Sequence, residues 1–148
     1  MFINSLILIV LLMLNVGCVG SHQVNDVSNF YNETSNRYSD GKNALKAYSA
    51  ENGCNGRNAD SVKNYIKMLE HSQGAELLYS RYRSDLIRNY HTELAFGYAD
   101  VALKKGCLDD ADNVYRGLIS FYVGDAYSGI RDRAKLGIDD IRSMRESR

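Results

Sequence analysis

Residues Thr92 to Tyr122 read TELAFGYADVALKKGCLDDADNVYRGLISFY: one helix-like run, a Gly106-Cys107 break, and a second helix-like run. In the first run Leu94 and Tyr98 continue a four-residue spacing that begins upstream with Leu78, Tyr82, Leu86 and Tyr90. That spacing belongs to a helix face and not to a strand. Lys104 and Lys105 suit the negative end of a helix dipole, and Gly106 is a natural stop. In the second run Asp109 is the expected N-cap, with Asp110 and Asp112 in the first turn, where carboxylates face the positive end of the dipole. Ala111, Val114, Tyr115 and Leu118 mark its apolar face. A weaker copy of this punctuation lies upstream, where Gly53-Cys54 is followed by Ala59-Asp60-Ser61-Val62.

The other segments read the same way. Lys42 to Asn52 is a helix with Ala44, Leu45, Ala47, Tyr48 and Ala50 as apolar positions, stopped by Gly53. Asn58 caps a second helix from Ala59 to about Gln73, whose Val62, Tyr65, Ile66 and Leu69 form one buried face. Gly74 ends or kinks it, and a long helix from Ala75 to Lys105 is expected, about 45 Å if unbroken. After Gly124, Asp125 caps a last helix from Ala126 to about Met144, with Ile130, Ala134, Leu136, Ile138 and Ile141 on its apolar side. Gly129 and Gly137 weaken it or allow close packing. No segment alternates with period two. The expectation is an all-α bundle of helical hairpins, four to five helices, over residues 42–148.

The 148-residue chain has room for one domain, and its total lack of proline suits uninterrupted helices. Lys plus Arg and Asp plus Glu are both 18. A net charge of zero argues against a general nucleic-acid binder, which needs positive charge to displace counterions from phosphates. The chain has 11 Tyr and no Trp, an aromatic content that serves a core or a contact surface equally well.

Leu6 to Leu14 (LILIVLLML) is too short to cross a bilayer, where about 20 apolar residues are needed, and fits the apolar region of a signal peptide, which is expected to span residues 1–17. The following Asn15-Val16-Gly17-Cys18 resembles the end of a bacterial lipobox. That resemblance implies that Cys18 is lipidated and becomes the mature N-terminus, anchoring the chain in a membrane. Val19-Gly20 lacks the aspartate that favours inner-membrane retention, which by the same resemblance leans towards the outer membrane. A cut after Gly20 would instead release a soluble exported protein. Ser21 to Gly41 is rich in Asn, Ser and Asp and reads as a linker, so residues 18–41 are expected to be a lipidated cysteine and polar tether.

Within Thr92–Tyr122, Ala99, Gly106, Ala111 and Tyr115 occupy the small, turn, small and large positions of a tetratricopeptide-type helix pair, which the stretch resembles. Ala95 stands at the early aromatic position, and no proline follows Leu118. An ordinary antiparallel helical hairpin accounts for the same residues.

With Cys18 lipidated or removed, Cys54 and Cys107 remain as an even pair, each directly after a glycine. An exported protein would join them in a single disulfide. In the chain-entropy account the bond contributes at most roughly 4 kcal/mol. No metal site is expected, because His22, His71 and His91 lack ligand spacing to a cysteine. No cofactor is expected either.

No nucleophile elbow, phosphate-binding glycine loop or zinc-protease motif is present. Glu70-His71 and His91 with Glu93 sit at spacings that point away from each other on a helix, and they read as surface polar residues. The expectation is therefore no catalytic residues. The best contact surface is the Tyr–Arg stretch of Tyr79, Arg81, Arg83, Arg88 and Tyr90, because Tyr and Arg are enriched where partners bind. A solvated helix face bordered by tyrosines is the plainer reading of the same residues.

The layout of lipidated cysteine, polar tether and disulfide-bearing helical domain is similar to that of secretin pilotin lipoproteins. It implies a non-enzymatic adaptor that meets an envelope protein partner, touches the membrane through its N-terminal lipid and binds no nucleic acid. Exclusion- and immunity-type lipoproteins share the outline. The rival class is a small envelope enzyme acting on peptidoglycan, which would need two carboxylates converging in a cleft.

Overall fold

A computed structural model describes residues 3–79 and 85–147, with side chains over 26–77 and 85–147. Five α-helices and no strand are found among the described residues: α1 (Ile3–Ala50), α2 (Arg57–Tyr79), α3 (Asp85–Lys104), α4 (Leu108–Phe121) and α5 (Ser128–Glu146). A 3-10 turn, Asp125–Tyr127, precedes α5. The all-α, hairpin-built reading therefore holds. The chain divides into two units, Met1–Thr34 and Ser35–Arg148. In the smaller unit, Thr34 Oγ1 donates to the Phe30 carbonyl at 2.8 Å and the Phe30 and Tyr31 rings meet edge-on at 5.5 Å.

The larger unit winds as successive hairpins, α2 on α3, α3 on α4 and α4 on α5. The α3–α4 turn explains why. Gly106 takes φ 77°, its N–H reaches the Leu103 carbonyl at 2.9 Å, and the Cys107 N–H reaches the Ala102 carbonyl at 2.8 Å. This is the Schellman arrangement, which needs a left-handed residue at the position glycine occupies. The turn leaves Cys107 at the cap, so Asp109 is not the N-cap but lies inside the first turn, where it pairs with Arg145 at 2.6 Å. At the other end of the domain Asp125 opens the 3-10 turn, and Tyr127 precedes α5 with no side-chain cap.

The core is built from Tyr48, Val62, Leu69, Leu94, Tyr98, Tyr115, Leu118, Tyr122 and Ile141, all nearly inaccessible to solvent. At Gly137 a Cβ would come within 2.3 Å of the Tyr115 ring, so the glycine serves close packing of α5 on α4. Leu136, expected on the apolar side of α5, is 66% exposed. It follows directly after Lys135 and stands two residues from Ala134, half a turn off the buried line through Ala134, Gly137 and Ile141.

Two whole segments also depart from their expected structure. Ser21–Gly41, read as a linker from its composition, is helical throughout. From Ser35 onward it belongs to the larger unit, where Tyr38 stacks on Tyr90 with centroids 4.1 Å apart and Lys42 pairs with Glu93 at 2.8 Å. Gly41 lets α1 approach α3, since a Cβ there would meet Leu94 Cδ2 at 2.6 Å. Tyr38, Gly41, Leu45 and Tyr48 thus share one face, a period that composition alone does not register. The long helix Ala75–Lys105 is likewise replaced by two elements. α2 runs through Gly74 to Tyr79, α3 starts at Asp85, and the two pack on each other, which one continuous rod cannot do.

Cys54 and Cys107 are joined, with Cα atoms 5.4 Å apart, tying the turn after α1 to the turn between α3 and α4. Lys105 reinforces the same corner. Its ammonium donates to the Tyr48 and Glu51 carbonyls at 2.6 and 2.5 Å and lies 4.2 Å from the Tyr48 ring centroid. The end of α1 thereby gains donors for carbonyls that the helix itself cannot satisfy.

Candidate functional site

Three helix faces enclose a cleft of about 290 Å³ in the larger unit. α2 contributes Lys63, Ile66, Lys67 and Glu70, spaced by three, four and seven residues as one helical face requires. α3 contributes His91, Ala95 and Tyr98, and α4 contributes Asp110, Asn113, Val114, Gly117 and Leu118. Ile66, Ala95 and Leu118 are buried and form an apolar floor, while Lys67 and Asn113 are exposed at the rim.

The charged groups differ in how they are held. Asp110 is doubly engaged: Lys63 Nζ lies 3.0 Å from Oδ1, and the Tyr98 hydroxyl donates to Oδ2 at 3.2 Å. Burial, followed by the nearby Asp110 charge, pushes the Tyr98 phenol well above its ordinary range. His91 is only 2% exposed, contrary to its reading as a surface residue. Its Nδ1 lies 2.8 Å from the Tyr122 hydroxyl, and Phe121 meets its ring edge-on at 5.5 Å. Burial lowers its pKa to about 4, so the imidazole is neutral near pH 7. Burial also raises the Tyr122 phenol, with Arg88 opposing.

His91 was legible in principle. It stands three residues before Leu94, four before Ala95 and seven before Tyr98, on the buried stripe of α3. Its polarity argued the other way, and packing won. Lys63, Lys67 and Asn113 carried no such signal, because a helix edge that rims a cleft has the same composition as one that faces water.

The Tyr–Arg stretch is only partly described. The side chain of Tyr79 and all of Arg81 and Arg83 lie outside the described residues, as does the side chain of Cys18. Arg88 pairs with Asp85 at 2.9 Å and lies over the Tyr127 ring at 6.0 Å. Tyr90 stacks on Tyr38, and its hydroxyl is 3.5 Å from Ser35 Oγ. Both described members thus make contacts within the domain. Glu93, near His91 in sequence, is held by Lys42 instead, whose ammonium keeps the carboxyl below its ordinary value. Glu70 lines the cleft, and His71 is exposed.

Among the described residues no cluster of three His, Cys, Asp or Glu side chains could hold a metal, and no helix is long and apolar enough to cross a membrane. No protein-family model matches the chain, and neither do any of the curated proteins or solved structures compared with it.

Proposed function

We propose that this chain is a non-enzymatic lipoprotein of a bacterial envelope, anchored through Cys18, that works as a pilotin-like adaptor by holding one segment of a partner protein. The observation that carries the reading is the cleft between α2, α3 and α4, with its apolar floor and polar rim. Binding sites commonly combine apolar walls with a few placed polar groups. Catalysis by paired carboxylates is less well served. Glycoside hydrolysis needs one acid kept protonated and a second one free, whereas both Asp110 oxygens are engaged by Lys63 and Tyr98. The paired Cys54 and Cys107 fit an oxidising compartment outside the cytoplasm.

The test is affinity capture from detergent-solubilised envelope, with mass spectrometry of both the partner and the mature N-terminus. The reading expects a lipidated N-terminus at Cys18 and a reproducible partner that is lost in Val114→Glu, which places a charge in the cleft wall. An unmodified N-terminus at Ser21 would refute the anchor. The absence of a reproducible partner would refute the adaptor.

A further inference from the structure

One group in the cleft floor is not used by the packing around it. The buried Tyr122 hydroxyl has a single acceptor among the described residues, His91 Nδ1 at 2.8 Å. We assign the phenol as donor and Nδ1 as acceptor, the arrangement that leaves the buried hydroxyl hydrogen satisfied. In a neutral imidazole the hydrogen then sits on Nε2. That N–H has no acceptor among the described residues, and His91 is one of the residues that line the cleft. A nearly buried donor left open to a cleft calls for an acceptor from outside, because a missing partner costs its full desolvation.

The surroundings narrow what that acceptor is. Lys67 is exposed at the rim with no ion-pair partner among the described residues, whereas Lys63 is taken by Asp110. Glu70 shares the α2 face with Lys67 and disfavours a multiply charged anion such as phosphate. Ile66, Val114 and Leu118 offer an apolar surface beside the polar groups. A volume of about 290 Å³ admits one side chain and a carboxylate, but not a helix about 10 Å across.

We propose that the cleft binds a single carboxylate carried by an apolar peptide segment, the carboxylate accepting from His91 Nε2–H and pairing with Lys67 while the apolar side chain rests on Ile66, Val114 and Leu118. This rests on the adaptor reading and gives its partner a chemistry. A chain end and an internal Asp or Glu supply the same group.

The experiment uses the full-length, oxidised, ¹⁵N-labelled protein in detergent micelles. Three probes are titrated: N-acetyl-leucine, N-acetyl-leucinamide and N-acetyl-leucyl-aspartic acid with its α-carboxyl amidated. The proposal expects the hydrogen of His91 on Nε2, and acid-dependent shifts at Ala95, Val114, Gly117 and that Nε2–H. The neutral amide should bind at least about tenfold more weakly, the loss expected for a hydrogen bond to a charged group. Lys67→Gln should weaken either acid roughly two- to fivefold without disturbing the remaining signals. His91→Gln, which keeps a neutral N–H donor, should retain more binding than His91→Phe. The tighter of the two acids tells a chain end from an internal acidic residue. Equal responses to acid and amide, a hydrogen on Nδ1, or acid binding unchanged in Lys67→Gln would each overturn the proposal. If these probes fail while envelope capture still depends on Val114, the adaptor reading stands and the carboxylate specificity falls.

Discussion

Acidification is expected to loosen the domain through His91. The imidazole is buried against Phe121 and Tyr122, its Nδ1 partner is a neutral phenol, and that burial disfavours the imidazolium. Its pKa falls from an ordinary 6.5 to about 4. In the unfolded chain His91 takes up a proton as pH drops through its ordinary value, while the folded chain refuses it until the lower one. Between those limits the unfolded state binds more protons, so stability decreases as pH decreases. The contribution is fully present above the ordinary value and fully lost below the depressed one. Each tenfold difference in proton affinity between the two states is worth about 1.4 kcal/mol, so the whole loss is about 3 kcal/mol, falling most steeply in the middle of the window. Glu93 adds a smaller acid sensitivity of the same sign, because Lys42 holds its carboxyl low. With both side chains about half exposed, solvent screens most of that effect. The assay is urea unfolding of the oxidised protein at pH 7.5, 5.5 and 4.0, with His91→Gln as the non-titrating control and NMR titration of the imidazole. The variant should start less stable and lose about 3 kcal/mol less across the series. Parallel curves for the two proteins, or an imidazole that titrates near its ordinary value in the folded state, would refute the reasoning.

Three further outcomes follow from the packing. Replacing Cys54 and Cys107 by Ser opens a loop with a sequence separation of 53, and the chain-entropy account gives a loss of about 4 kcal/mol, measured by urea unfolding of the double variant against the oxidised parent. Gly137→Ala drives a methyl into the Tyr115 ring and should cost about 1–3 kcal/mol. Gly129→Ala meets nothing within 4 Å and should be neutral or stabilising, so equal effects of the two on the melting temperature would contradict the described α4–α5 contact. Lys105→Met removes the donor to the Tyr48 and Glu51 carbonyls and should cost about 1–2 kcal/mol, with faster amide exchange confined at first to the end of α1.

Much of the secondary structure was legible because helical signals are local. Gly53, Gly106 and Gly124 each take the positive φ that a helix stop favours, and Val62, Ile66, Leu69, Leu94, Tyr98, Ala111, Tyr115 and Leu118 are buried on the faces that their spacing indicates. Misreadings arose where a local signal is silent or ambiguous. Ser21–Gly41 looked too polar to order, yet from Ser35 onward Tyr38 and Gly41 need only a partner helix, and α3 supplies Tyr90 and Leu94. Leu86 fitted the four-residue stripe but is 42% exposed, and Ile87 is buried in its place. A stripe repeated every four residues drifts around a helix of 3.6 residues per turn, so its phase cannot be carried across a break.

The amino-acid sequence alone determined the all-α class, the glycine stops and the pairing of two cysteines, since each depends on neighbours within a turn or on residue counts. Tertiary structure decided what those elements enclose. Only the folding back of α2 on α3 and of α3 on α4 brings Lys67, His91 and Val114 to one cleft, although they lie far apart along the chain. Only burial keeps the His91 imidazole neutral near pH 7 in place of a titrating surface base. Such properties depend on what is excluded from a group's surroundings, and exclusion of water is a feature of the assembled core that no single helix carries in its own residues.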